Sequence, residues 1–417
     1  MSHDPHSYTA RYVFPASGLP IPNGIVVVNG DRIEAVEAAN SRKPDIDFGN
    51  AAIIPGLVNP HTHLDLSGAR GLIPPTDPDH FTDWLRGVIA YRRTCTPEQI
   101  QADIRTGLAE CFRYGTTLIG DIASEGASWY AVSGAKTRAI LFWEIIGIKS
   151  ERFDAGFKDW ASKTQVSWFV DDWDETMKSV QFPGSRTCRW GVSPHAPYSV
   201  NHLSAQGTLW LPGVKAIHLA ESPGEMQLLR EKNGPFVAFL QELGIWIPEA
   251  ISLSAEEFLR FPSTIRPPHS PRLFIHCNYL PPTTPFASNQ SIVYCPRTHA
   301  AFRHPTHPFR EFLQRGVRVC LGTDSLASNP DLDILAEARF VHAKYPAFPG
   351  DTLLKTITLS GAEALGWSDE AGSLETGKSA DFIAVPLPNR EASDPHELLF
   401  ADHPGDRRTM FRGEWRE

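Results

Sequence analysis

The run Ile53-Ile54-Pro55-Gly56-Leu57-Val58-Asn59-Pro60-His61-Thr62-His63 carries two histidines separated by one residue. In an extended chain, residues two apart share a face, so His61 and His63 can turn both imidazoles toward one ion. The apolar residues before them bury the strand and leave the rings at its carboxyl end. In parallel barrels and doubly wound sheets that end is where sites are built. Two satisfied core histidines would have the same spacing, so His-x-His alone decides nothing. Four further words follow apolar runs in the same way: Ser193-Pro194-His195-Ala196-Pro197-Tyr198, Ile217-His218-Leu219-Ala220-Glu221, Phe274-Ile275-His276-Cys277-Asn278 and Leu321-Gly322-Thr323-Asp324-Ser325. A buried imidazole or carboxylate without a partner costs about 1–3 kcal/mol, and more if charged. Convergence on a cation removes that cost for all ligands together.

These words need strands to carry them. Thr96-Pro97-Glu98-Gln99 starts a helix, with Thr as cap, Pro at the first position and an acid in the first turn. Ile100, Ile104, Leu108 and Phe112 continue at helical spacing, and Gly115 stands where a left-handed terminator belongs. The β-branched run Thr116-Thr117-Leu118-Ile119 comes directly behind. Strands are expected at 53–58, 116–122, 138–146, 189–193, 214–219, 273–276, 291–295 and 317–322, with helices between them, as at 308–315, and another at 331–343. Parallel strands need crossover connections, so this alternation predicts an α/β fold, a (β/α)₈ TIM-like barrel. A doubly wound sheet is the alternative, but no Gly-x-Gly-x-x-Gly supports it. Ahead of the barrel, 24–33 reads as a β-hairpin around Asn29-Gly30-Asp31. After Gly366 the chain returns to β character at 380–385, which completes the first domain's sheet. The expected division is 1–52, the N-terminal part of a small β domain; 53–360, the barrel; and 361–417, a helix and the return to the β domain.

Composition bounds the function. The chain has 417 residues, 41% hydrophobic and 21% charged, with net charge -9, which argues against nucleic acid or an anionic membrane as partner. No apolar run approaches the roughly 20 residues that span a bilayer, and residues 1–12 lack the form of a secretory signal. Six cysteines without Cys-x-x-Cys spacing suit reduced thiols in a cytoplasmic protein. The expected partner is a small heterocyclic molecule; a homodimer is left open.

The chain resembles the amidohydrolase superfamily, in its cytosine deaminase-like and chlorohydrolase-like branch. The words that carry the resemblance are Pro55 through His63, His195-Ala196-Pro197-Tyr198, His218-Leu219-Ala220-Glu221-Ser222, Cys295-Pro296-Arg297-Thr298-His299, Gly322-Thr323-Asp324-Ser325 and Gly372 through Lys378. They run in the family's order from about residue 20 to the end. The resemblance implies a distorted barrel with a β-sandwich made by both termini. It also implies one metal ion held by His61, His63, His218 and Asp324, with Glu221 and His276 as catalytic groups and His195 as a substrate contact. Such a ligand set suits Zn²⁺ first and Fe²⁺ second, and the ion lowers the pKa of a bound water toward neutrality. Glu221 is then expected as general base and acid, while Asp324 takes the remaining proton. Strand four ends Val192-Ser193-Pro194-His195 without the lysine that bridges two metals in relatives, which favours one ion. Two departures stand out: His299 where relatives often carry Asn, and Asp65 where many carry Glu.

Three long connections should set specificity. Residues 64–95 carry Arg70, Trp84 and Arg86; 147–185 carry Phe153, Phe157, Trp160, Trp168, Phe169 and Trp173; 222–272 begin as a helix. Trp84, Glu144 and His299 are the substrate-contact candidates beside His195. Glu144 suits a ribose or an amine, or is a structural carboxylate. His304 and His307 are expected in a surface or substrate role. Gly372 through Ser379 matches the phosphate-loop pattern, but a strand follows it where a helix is required, so we read a turn. The leading expectation is deamination of a purine- or adenosine-like heterocycle with release of ammonia. The runner-up is hydrolysis of a cyclic amide, or dechlorination or deamination of a triazine-like ring, by the same site. A silent metal-holding scaffold and a nucleotide-driven ATPase are the remaining alternatives.

Overall fold

The computed structural model describes residues 5–149, 151, 158, 186–209, 213–251, 254–260 and 270–416. The aromatic residues named between 147 and 185 lie outside them. Eight parallel strands stand side by side in sequence order. They are β1 Leu57–Thr62, β2 Thr116–Ser124, β3 Arg138–Ile145, β4 Cys188–Pro194, β5 Val214–Leu219, β6 Arg272–His276, β7 Gln290–Tyr294 and β8 Arg318–Leu321. A parallel bridge between Thr62 and Asp324, with the Asp324 amide donating to the His61 carbonyl at 3.1 Å, closes β8 onto β1. The expected TIM-like barrel is present. No helix among the described residues is long and apolar enough to cross a membrane.

Two sheets flank it. One, of four strands, comes wholly from the N-terminal stretch; the other, of six, interleaves Tyr12–Val13, Ile21–Pro22 and Ala51–Pro55 with Phe382–Pro386, Arg408–Phe411 and Glu414–Trp415. Their shared core includes Tyr8, Val26, Ile33, Ile53, Phe382 and Met410. Both termini therefore build the sandwich. The hairpin around Gly30 forms with Asn29 opposite Arg32.

The structure corrects one strand. The apolar run 53–58 is not continuous: Ile53 and Ile54 pair with Ala384 and Ile383 in the sandwich, and only Leu57 onward joins the barrel. The physical reason is the Pro-Gly step. Pro55 has no N–H to extend a ladder, and a Cβ on Gly56 would lie 2.2 Å from Thr117 Oγ1. The chain changes sheets there, in a gap that only glycine fits.

Local signals elsewhere act as read. Thr96 Oγ1 accepts from the Gln99 amide at 3.2 Å and starts helix α2, Pro97–Arg113; Gly115 follows at φ +90°. In the 372–379 turn, Lys378 is bound to Ser373 at 2.6 Å and Glu375 at 3.0 Å, and the strand Phe382–Pro386 follows. It is no phosphate loop.

Candidate active site

The five polar words meet at one end of the barrel. His61 lies in β1 and His63 just past it; their rings are 4.9 Å apart and nearly perpendicular. His218 lies in β5, and its Nε2 faces His63 Nε2 at 3.3 Å. Asp324, beyond β8, sets Oδ1 3.5 Å from His61 Nε2 and 3.8 Å from His63 Nε2. Donor atoms form two overlapping groups, His61 with His63 and His218, and His61 with His276 and Asp324, each within 4.8 Å. All these residues are buried. Neither ring nitrogen of His61 has a hydrogen-bond partner, and neither does His63 Nδ1.

Electrostatics agree with the geometry. Burial, then the neighbouring imidazoles, holds His63 and His218 well below the usual histidine range, and burial brings His276 down to about 3. Neutral imidazole is the form that binds metal. Burial alone would raise Asp324, but His61, His276 and His218 outweigh it and hold the carboxyl at about 2. Buried, neutral, converging imidazoles beside an ionised carboxylate fit a divalent ion such as zinc. Glu221 stands next to this group, with Oε1 3.3 Å from His276 Nε2. Burial, then Asp324 and Glu225, pushes its carboxyl well above the normal range.

Backbone geometry at the site is unusual. Ala220 (φ 52°), His276 (φ 69°) and Asp324 (φ 63°) all adopt left-handed conformations, which cost non-glycine residues of order 1–3 kcal/mol each. Specific contacts hold each one. The Glu225 carboxylate accepts from the Ala220 and Glu221 amides, both at 2.8 Å. His307 Nε2 donates to the His276 carbonyl at 2.8 Å. Ser328 Oγ donates to Asp324 Oδ2 at 3.0 Å. Sequence reading missed Glu225 and Ser328. It also put His307 in a surface or substrate loop, whereas this residue is 1% exposed and stacks on Tyr294 at 4.1 Å.

A cavity opens from the cluster, lined also by Leu66, Trp84, Val88, Arg92, Glu144 and Tyr198. His195, just past β4, lies in the same lining; its Nδ1 is fixed by Ser199 Oγ at 2.9 Å, and its ring is 4.6 Å from that of His218. His299 does not line the cavity. Helix Pro296–Ala301 turns its ring against Tyr294 and His307, at 5.4 and 5.7 Å. Arg70 and Arg86 are also elsewhere, paired with Glu110 and with Glu242. Arg92, unnoticed in the sequence, reaches the cavity from helix α1, Phe81–Thr94.

The model of the amidohydrolase family matches residues 52–148 and 216–415, and the chain belongs to that family. It is 28% identical over 413 residues to a 5-methylthioadenosine/S-adenosylhomocysteine deaminase of Moorella thermoacetica, an alignment spanning 93% of this chain and 86% of the relative. Its fold is similar to that of Helicobacter pylori aminofutalosine deaminase in complex with methylthio-coformycin, with TM-score 0.81, 18% identity and coverage of 99% of this chain and 100% of that one. It is also similar to the atrazine chlorohydrolase of Arthrobacter aurescens complexed with zinc, at TM-score 0.69 and 20% identity, covering 98% of this chain and 94% of that one.

Proposed function

We propose that this protein is a zinc-dependent aminohydrolase that removes ammonia from a purine- or adenosine-like heterocycle. One observation carries it: two donor groups share His61 within 4.8 Å, and a buried carboxyl on Glu221 stands beside them. In this reading His61, His63, His218 and Asp324 hold the ion. A bound divalent ion supplies a lowered pKa for water at neutral pH.

This chain's residues do the rest. Glu221, desolvated and so basic for a carboxylate, takes one proton from the attacking water and returns it to a ring nitrogen of the substrate. His276, with its ring 3.3 Å from Glu221, orients the oxygen that adds to the ring carbon. Asp324 accepts the second proton and passes it to the departing amine, so water and an aminated carbon become a carbonyl and ammonia. His195, fixed by Ser199, contacts the substrate, and Trp84 and Glu144 line its pocket. His299 packs against Tyr294 and His307 outside the cavity lining and makes no substrate contact. The deaminase relative and the absence of a lysine at the end of β4 support a single-ion aminohydrolase. Six free cysteines support a cytoplasmic setting.

The test is ammonia release from the zinc-loaded protein across purine nucleosides, free purines, pterins and triazines. Turnover of purine compounds is expected. Chloride or amine release from triazines alone, or no turnover at all with stoichiometric metal, overturns the proposal.

A further inference from the structure

The cavity has a second polar wall, beside His195, whose hydrogen-bonding capacity is unused. Glu144 is at the carboxyl end of β3 with its side chain 2% exposed, and neither carboxylate oxygen has a hydrogen-bond partner. Arg92 supplies a countercharge, with Nη1 3.5 Å from Oε2, but makes no hydrogen bond to it. The guanidinium is drawn the other way, to Asp65 Oδ2 at 2.8 Å. On its far side Glu144 Oε1 is 3.8 Å from His195 Nε2. Trp84 Nε1, on the same cavity, is also unpartnered.

A purely structural role does not account for this. A carboxylate placed only to neutralise Arg92 would close to hydrogen-bond distance, as Asp65 does. Buried carboxylates in folded proteins are hydrogen-bonded, and the exceptions require an explanation. The two oxygens of one carboxylate accept best from two donors lying side by side. Arg92 is already matched by two carboxylates, Asp65 and Glu144, so this wall disfavours a phosphate or carboxylate at that end of a ligand.

Resting on the aminohydrolase reading of the neighbouring site, we propose that Glu144 is the specificity-determining acceptor for a substrate that carries two adjacent hydrogen-bond donors. Arg92 is a positioning residue that holds the Glu144 charge in place. Two sources present such a pair: the cis hydroxyls of a ribose, and the N–H edge of an amino-substituted ring.

Calorimetry on the zinc-loaded Glu221→Gln protein separates these, because binding is then read without turnover. The probes are adenosine against 2′,3′-dideoxyadenosine, and guanine, whose N1–H and 2-amino group lie side by side, against hypoxanthine. One donor-bearing probe should bind about 10- to 100-fold tighter than its partner, as expected for hydrogen bonds to a charged acceptor. The adenosine arm identifies a ribose, the guanine arm a ring edge. Adding the isosteric Glu144→Gln should shrink that ratio to within about threefold, with zinc content and thermal unfolding unchanged. Equal binding within both pairs overturns the proposal without any Glu144 variant, and so does a ratio that survives Glu144→Gln. A ratio that depends on Glu144 while the unmodified enzyme releases no ammonia sinks the aminohydrolase reading and leaves the acceptor standing. Ammonia release without such a ratio does the reverse.

Discussion

The two ends of the barrel bury charge in opposite ways. At the amino end Arg138, the first residue of β3, is 3% exposed and paired with Asp381, which also accepts from Ser379 Oγ at 2.9 Å and the Arg412 amide at 2.8 Å. Phe411 covers the guanidinium, 5.0 Å from ring to charge. At the carboxyl end His61 is 0% exposed and both of its ring nitrogens are open. Buried charge by itself therefore marks nothing. Buried imidazoles that converge on one another and still lack partners mark the end where a ligand belongs.

Substitutions at the two ends should separate these roles, and the largest effect belongs to the open end. His63→Ala is expected to leave a folded protein that holds far less than one zinc per chain and does not turn over; elemental analysis checks it, and full metal content would break the contrast. Next comes Glu221→Gln, which should keep its metal while kcat falls about 10²- to 10⁴-fold, the range for losing a general acid–base. A near wild-type rate would remove Glu221 from the chemistry. At the closed end, Arg138→Met strands Asp381 without its cation and should cost about 3–5 kcal/mol in denaturant unfolding, while the molecules that remain folded keep kcat and zinc.

The smallest effect sharpens the contrast from inside the open end. Burial raises Glu225 to about 7, against an ordinary value of 4.5. A carboxyl whose folded pKa is raised contributes stability that is full below about pH 4.5 and lost as pH rises through 7. The unfolding free energy of the wild type relative to Glu225→Gln should fall over that window, by at most about 3 kcal/mol. A difference that is flat from pH 4.5 to 7 would show that Glu225 does not titrate there.

Legibility in the sequence followed the same division. Barrel strands, the Thr96 cap and the histidines at strand ends could be read because each is a local pattern: an apolar run, a cap, a ligand-type residue behind it. Arg92 could not, since Tyr91-Arg92-Arg93-Thr94 looks like the solvated basic end of any helix. Glu225, in the first turn after Ser222, has the appearance of an ordinary capping acid, and its side chain does accompany a Ser222 cap. Only the fold turns its carboxylate back onto Ala220 and Glu221. The left-handed backbone at His276 and Asp324 leaves no mark either, because the residues are not glycine and the contacts that hold them come from 31 and 4 residues away. The sheet change at Gly56 was hidden inside one apolar run.

The seam between β1 and β8 has a consequence for how the molecule comes into being. Asn59 Nδ2 donates to Thr323 Oγ1 at 2.8 Å, across 264 residues of chain, beside the Thr62–Asp324 bridge. The proposed cation would be gripped from both sides of that junction, by His61 and His63 on one and Asp324 on the other. During synthesis the earliest staves of the barrel must then wait, half-furnished, until the last one leaves the ribosome. Zinc capture would act as the clasp that fastens them.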